Sequence, residues 1–344
     1  MDKLSSKHLM LLILGVSTIS LRSYSSIFIS SGGRDTWILA LLASVIMTLF
    51  IWIIFRHIIK TNYFDMCRDN IILKIISIIS LFLLCIESAT TEATSIHNNY
   101  FLNTPTWFCL LFFIIAATYV ASKSFNSVLI TTIVLVVINL IGDIIILALA
   151  SKYLDLNNLL PIFASTTTKD KFTCVISLLG GLSSIIIIMP YLRLLVHKRS
   201  LLSDCILSVI IVGALITTAF ATMIAFLGST RGSYIFFPEY IEFQRIKIAD
   251  FVEFGELFFI FRSVSMYFIK YILCLYGLKL ILKKTESKNV LFITLISIAI
   301  FIVSNLISSN TYTLYNFLQV LMYSLCVMFL LFSVIIITTK RTKQ

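Results

Sequence analysis

The sequence predicts an all-α polytopic membrane protein with ten transmembrane helices, arranged as two halves of five in opposite orientation. Composition is the first observation behind this. The chain has 344 residues, of which 59% are hydrophobic and 12% charged, and its mean hydropathy is +1.02. Soluble domains carry about 25% charged residues, so this chain has too little charge to cover itself in water. The second observation is spacing. Apolar residues come in blocks of about 20, the length a helix needs to cross a hydrocarbon core of about 30 Å. They lack the alternation over about 10 residues that marks a barrel strand. The third is a repeated motif, GVSTI at residues 15–19 and GLSSI at residues 181–185, in the first and sixth apolar blocks.

In chain order the spans are expected at about 8–29, 36–59, 72–96, 105–121, 126–150, 172–196, 202–228, 257–282, 289–308 and 313–338. Polar punctuation separates them. SGGRD divides the first two, the run around MCRDN precedes the third, HNN and NTP flank the start of the fourth, and SKSFNS opens the fifth. TTTKDK opens the sixth, HKRS follows it, GSTRG ends the seventh, KKTESK ends the eighth and SSNTYT opens the tenth. The segment 151–171 joins spans five and six. Residues 229–256 join spans seven and eight, and their mixture of apolar and charged residues suits a short helix lying at the outer interface.

Lys and Arg set the orientation. With the N-terminus inside, 17 of them fall on the cytoplasmic side and 7 on the outer side, leaving Arg22, Arg262 and Lys270 within spans. Both termini are therefore expected in the cytoplasm. The net charge of +11 sits at span ends and forms no basic helix with interleaved aromatics, so nucleic acid is not expected as a partner. The first apolar run lacks a small-x-small cleavage site and reads as a span, not a removed signal. Seven cysteines without a Cys-x-x-Cys pair read as small apolar packing residues. The four scattered histidines give no metal spacing. No hydrolase elbow, phosphate loop or zinc-protease motif is present, so neither catalysis nor a cofactor is expected.

The two matching pentapeptides each lie in the first span of a five-helix half. Because five is odd, the halves are inverted. Paired, Gly-interrupted spans in corresponding positions point to a transporter-like binding site, since Gly weakens a helix and unwound backbone offers free N–H and C=O groups to a polar guest. Small-residue helix packing is the alternative reading. The candidate site is Gly15, Val16, Ser17, Thr18 and Ile19 of span one, facing Gly180, Gly181, Leu182 and Ser183 of span six.

Charges within spans are costly and turn inward. In span three, CIESATTEATS (85–95) carries Glu87 and Glu92. Five residues turn a helix by about 140°, so the two carboxylates do not share a face. Glu87 with Thr91 is the inward candidate, as a ligand or proton site or as a structural ion pair, while Glu92 is expected near the headgroups, solvated. Arg22 lies at matched depth to Glu87 and is its expected partner, or joins it in clasping an amino acid. Lys270 is expected to pair with a buried acid such as Asp143, which has a second reading as a proton-sensing carboxylate. Arg262 is expected to snorkel outward.

The stretch FFPEYIEFQRIKIADFVEFGELFFIF at 236–261 is the most specific in the chain, with Pro238, Arg245, Ile246, Ile248, Asp250, Phe251 and Glu256 forming its pattern. LSSKH at 4–8, DTWI at 35–38 and NLLPIF at 158–163 accompany it. Together these resemble the B subunit of GerA-type spore germinant receptors. That is the endospore germination permease family of the amino acid–polyamine–organocation superfamily, and the likeness spans nearly the whole chain. His8, Phe254 and Phe261 depart from the family's usual Gln, Arg and Trp, and Ile19, Ser20 and Leu21 stand at its Gly-containing break. The resemblance implies a LeuT-like fold, in which span eight packs on span one and brings Ser263 or Ser265 to the site. It also implies a nutrient germinant such as an amino acid, and assembly with A- and C-type subunits in the spore inner membrane. A proton- or sodium-coupled transporter in the cell membrane, and a scaffold without a ligand, are the other expectations.

Overall fold

A computed structural model describes residues 4–59, 70–163, 166–195, 200–246, 254–282 and 286–338, with backbone alone at 286–289. Ile248, Asp250 and Phe251 of the motif, Cys67, His197 and the Lys and Arg residues of 1–3, 60–69, 196–199, 247–253, 283–285 and 339–344 lie outside the described residues. Every predicted span is helical, and no strand occurs among the described residues.

Spans two to five are Thr36–Ile58, Ile71–Asn99, Thr106–Ser122 and Phe125–Ala150. Spans seven to ten are Leu201–Leu227, Phe254–Leu282, Glu286–Ser308 and Thr311–Thr338. Among the described residues, eight helical stretches are long and apolar enough to cross a membrane, while Thr106–Ser122 is shorter. Side-chain caps start several of them. Asn70 accepts from the N–H groups of Ile72 and Leu73 at 3.1 and 3.4 Å, and Ser124 from Ser127 at 3.4 Å, each quieting orphan donors of a first turn.

Spans one and six differ from the rest. Span one comes in three pieces, Ser6–Ser17, Ile19–Ser23 and Ser26–Gly32, parted at Thr18 and at Tyr24–Ser25. The run from Ser17 to Ser26 holds six Ser or Thr residues. Short hydroxyl side chains compete with backbone groups for hydrogen bonds and weaken a helix interior. Thr18 Oγ1 turns back to the Leu14 carbonyl at 3.4 Å. The last piece ends at Gly33, whose φ of 56° lies in the left-handed region open to glycine. Span six is α-helical over Thr168–Leu182 and then winds as a 3₁₀ stretch over Ser183–Leu194, with Pro190 inside. Twelve residues is long for 3₁₀ geometry, whose hydrogen bonds are poorer than those of an α-helix.

Packing places the broken pieces at the centre. The first piece of span one lies against spans five, seven and eight and the 3₁₀ stretch, and span three runs along span eight. Spans four and nine pack on each other and on span three at the periphery. Leu, Ile and Val side chains crowd the outer faces of spans two, five and nine, as at Leu49, Ile144 and Leu291, which suits contact with lipid tails.

The connection after span seven forms two short helices, Ser229–Tyr234 and Pro238–Gln244. The second was expected at the interface. Instead its Pro238, Glu239, Tyr240, Glu242 and Phe243 are buried. The reason is electrostatic: its acids meet arginines from two spans. Pro at the first helical position presets φ and lacks only an N–H that would be orphaned anyway. The 151–163 connection is pinned to span seven and to Arg34. The Asp155 N–H and Asn158 Nδ2 both donate to the Ala225 carbonyl, at 3.2 and 3.0 Å, and Arg34 donates to the Leu160 carbonyl.

Candidate functional site

The two interruptions touch. Ser184, at the start of the 3₁₀ stretch, donates its hydroxyl to the Val16 carbonyl at 3.3 Å, just before the break at Thr18. Val16, Ile19 and Leu182 are buried walls here. Ser17 Oγ is buried without a hydrogen-bond partner. Ser183 Oγ is turned to the Leu179 carbonyl at 2.7 Å.

The glycines fit the small-residue packing alternative. A Cβ on Gly181 would stand 2.5 Å from Leu21 Cδ2, one on Gly180 1.9 Å from the Met322 carbonyl oxygen, and one on Gly15 2.7 Å from Val136. These are crossing points where a side chain has no room. The regularity fails two or three residues later, at Thr18 and Ser183.

Spans three and eight run antiparallel, and polar rungs connect them. At the innermost, Lys270 Nζ donates to Glu87 Oε2 at 2.7 Å and to Ser20 Oγ of the middle piece of span one. Tyr24, at the second break, donates its hydroxyl to Glu87 Oε1 at 2.6 Å. At the next rung Tyr267 lies beside Thr91 and Ser23, yet neither the Tyr267 hydroxyl nor Thr91 Oγ1 has a hydrogen-bond partner. At the third, Ser263 donates to Glu92 Oε2 at 2.6 Å, leaving Oε1 unpartnered. Glu87, Glu92 and Lys270 have no exposure. Glu92 is therefore not solvated, because span eight covers it.

A second charged cluster lies further along span eight. Arg22 donates from Nε to Glu239 at 2.8 Å and from Nη1 to Asp143 at 2.9 Å. Arg262 Nη1 stands 2.7 Å from the same Glu239 oxygen, and its Nε 3.4 Å from Asp143. The partners expected from sequence are thus exchanged. Arg22 pairs with Asp143 and Glu239, not Glu87, and Glu87 takes Lys270, not Asp143. Arg262 does not snorkel: it is 2% exposed. The exchange follows from Pro238–Gln244, which carries Glu239 into the bundle beside the arginines and so leaves Glu87 to the long arm of Lys270. Ser265 accepts from Asn139 Nδ2 at 2.8 Å, on the span-five side of span eight.

Burial works against charge on Glu239, but the Arg22 and Arg262 guanidiniums hold it below the usual carboxylate range. Its neighbour Glu242 faces the opposite balance. Burial, then repulsion from Glu239, pushes it up to about 8. Arg22, Asp143, Glu239, Glu242 and Thr222 line a small cavity walled by spans five and seven. Among the described residues, no three His, Cys, Asp or Glu side chains are grouped to hold a metal ion.

Sequence reasoning missed Tyr24, Glu239 and Tyr267. The only sign of Glu239 was the mixed apolar and acidic run after Pro238; Tyr24 and Tyr267 carried none.

A family model described as spore germination protein matches residues 4–314, and no curated protein matches the sequence. MhsT, solved in complex with L-phenylalanine, has a TM-score of 0.68 at 12% identity, covering 96% of this chain and 87% of that one. Mhp1, a nucleobase-cation-symport-1 family transporter solved closed with bromovinylhydantoin, has a TM-score of 0.64 at 11% identity, with coverages of 93% and 75%. A manganese transporter from Eremococcus coleocola has a TM-score of 0.59 at 15% identity, with coverages of 96% and 78%. At such identities the likeness is one of fold, that of LeuT-like transporters with two inverted five-helix halves. With a match to that model along almost its whole length, the chain belongs to the spore germination permease family.

Proposed function

We propose that this chain is the nutrient-sensing B subunit of a germinant receptor, holding a small polar ligand of amino-acid type between its broken spans. One observation carries the reading: spans one and six lose helical regularity side by side, against a ladder of buried polar groups from spans three and eight. Irregular backbone is tolerated at membrane depth only where protein or a cavity satisfies it, and a guest supplies what the unpartnered groups lack. The ligand shifts the equilibrium between two arrangements of the halves by its difference in affinity for them. Partner A- and C-type subunits read that shift in the spore inner membrane. The excess of Lys and Arg at one set of span ends, 17 against 7, supports cytoplasmic termini.

The second reading is a proton- or sodium-coupled amino acid transporter. Its support is the fold, shared with a structure described as a Na⁺-coupled sialic acid symporter at a TM-score of 0.63 and 11% identity. Two measurements on the purified chain separate the readings. A sensor is stabilised against heat by a nutrient and gives no concentrative uptake in proteoliposomes. Uptake driven by an imposed proton or sodium gradient would establish the transporter. Absence of stabilisation by every amino acid, sugar and nucleoside would refute both.

A further inference from the structure

Acidic groups around the breaks outnumber basic ones. Five acidic side chains, Glu87, Glu92, Asp143, Glu239 and Glu242, stand beside three cations, Arg22, Arg262 and Lys270. Each cation is committed: Lys270 to Glu87, and both arginines to Glu239 and Asp143. Glu242 lies apart, on the cavity beside the Pro238–Gln244 helix. Glu92 lies on the polar ladder itself, fully buried, and no ion pair reaches it among the described residues.

Three acceptors stand open on that ladder. Glu92 Oε1, Thr91 Oγ1 and the Tyr267 hydroxyl oxygen are all buried without a hydrogen-bond partner. Thr91 neighbours Glu92 in sequence, and Tyr267 lies beside Thr91 and within electrostatic reach of Glu92. A protonated primary amine brings three N–H donors and one positive charge. That is the complement of three open acceptors beside one uncompensated carboxylate.

We propose that Glu92 is the anchor for the ligand's ammonium group, with Thr91 and Tyr267 completing its shell. The proposal rests on the reading of the broken spans as a nutrient site and names the ligand's chemical class. The guest is a primary amine, and a free carboxylate on it finds no side-chain cation. Arg262 keeps one unpartnered Nη2, but its charge is already shared by Glu239 and Asp143. An ionised Glu92 repels a second anion, whereas an ammonium supplies the counter-charge that it lacks.

The test is calorimetric titration of the full chain in detergent. The probes are the natural amino acids, their amides, and matched carboxylic acids that lack the amine. Where an amino acid binds, its amide is expected to bind at least as tightly, and the amine-free acid at least 100-fold more weakly. Glu92→Gln, nearly isosteric, is expected to weaken the amide about 10- to 100-fold, the range of a charge-assisted hydrogen bond. Thr91→Val and Tyr267→Phe should each weaken it about 3- to 10-fold. An amide that binds Glu92→Gln as it binds the wild type, or an amine-free acid that binds as well as the amide, overturns the anchor. If Glu92→Gln fails to fold, unchanged amide affinity in both Thr91→Val and Tyr267→Phe does the same. Binding of neutral sugars or nucleosides with no amine bound removes the anchor and leaves the nutrient site standing. Binding of nothing removes both.

Discussion

Replacing Lys270 by Met tests whether its pair with Glu87 clamps the broken first span to spans three and eight. The ammonium has no exposure and makes two contacts, to Glu87 at 2.7 Å and to Ser20 of the middle piece. Without it, Glu87 remains buried with only the Tyr24 hydroxyl at 2.6 Å to share its charge. Breaking a buried pair from one side costs about 3–5 kcal/mol, most of it the charge left behind. Two charge-assisted hydrogen bonds at about 1.5–3 kcal/mol each give the same range. Removing both partners, as Lys270→Met with Glu87→Met, takes that charge away too. It then costs only the stranded Tyr24 and Ser20 hydroxyls, about 1–3 kcal/mol each before relaxation. The double change should therefore lie well above the sum of the singles, with a coupling of about 3 kcal/mol. Equilibrium unfolding in detergent with rising SDS measures the four corners of this cycle. Single effects that add to within about 0.5 kcal/mol would refute the clamp.

Four further outcomes are expected. Glu242 is raised from the usual 4.5 to about 8, so its neutral form stabilises the fold fully below about 4.5, and that contribution drains away as pH climbs toward 8. Glu242→Gln should flatten this decline, which unfolding midpoints across that window would show. Gly180→Ala drives a methyl into the Met322 carbonyl at 1.9 Å, where backbone has to move, and should cost about 3 kcal/mol or more by the same unfolding assay. Arg22→Met leaves Asp143 and Glu239 with Arg262 alone and should cost about 3 kcal/mol, with a variant of wild-type stability counting against the network. Ser184→Ala removes the tie to the Val16 carbonyl for about 1 kcal/mol, and in the same screen should alter nutrient-induced stabilisation more than ligand-free stability.

The architecture was legible because it is written in one dimension. Apolar blocks of span length report helices whatever packs beside them, and the family pattern near residues 236–261 reports the topology. The breaks were legible as neighbourhoods: GVSTI contains Thr18, and GLSSI contains Ser183. Their cause was displaced, since Gly15 and Gly181 are contact points and the hydroxyl runs beside them disturb the helix. Ion-pair partners were not legible, because depth along a helix says nothing about which helix stands opposite. Arg22 and Glu87 match in depth and sign, yet Glu239 reaches Arg22 only because a seven-residue helix between spans seven and eight folds inward. Glu92 misled for a related reason. Its position near the end of an apolar run suggested water, but the cover comes from Ser263 of span eight, 171 residues later in the chain.

The centre of the bundle is tied at its two ends by different materials. On the face holding the start of the chain, the Leu4 N–H donates to the Leu194 carbonyl at 3.0 Å and the Ser6 and Ser200 hydroxyls share a hydrogen bond at 2.7 Å. Both contacts are neutral, of the kind that contributes about 1 kcal/mol. At the other end the tie is four charges, Arg22, Arg262, Asp143 and Glu239. It draws together span one, span five, span eight and the Pro238–Gln244 helix. A change in charge between the two ends acts on them unequally. A cationic guest bound at Glu92, as proposed above, would neutralise the acid held by Ser263, the residue after Arg262. That would remove a negative field from beside Arg262 in the four-charge cluster and leave the neutral clip at Leu4 untouched. On the proposed reading, occupancy would then act on one end of the bundle through the charge at Glu92.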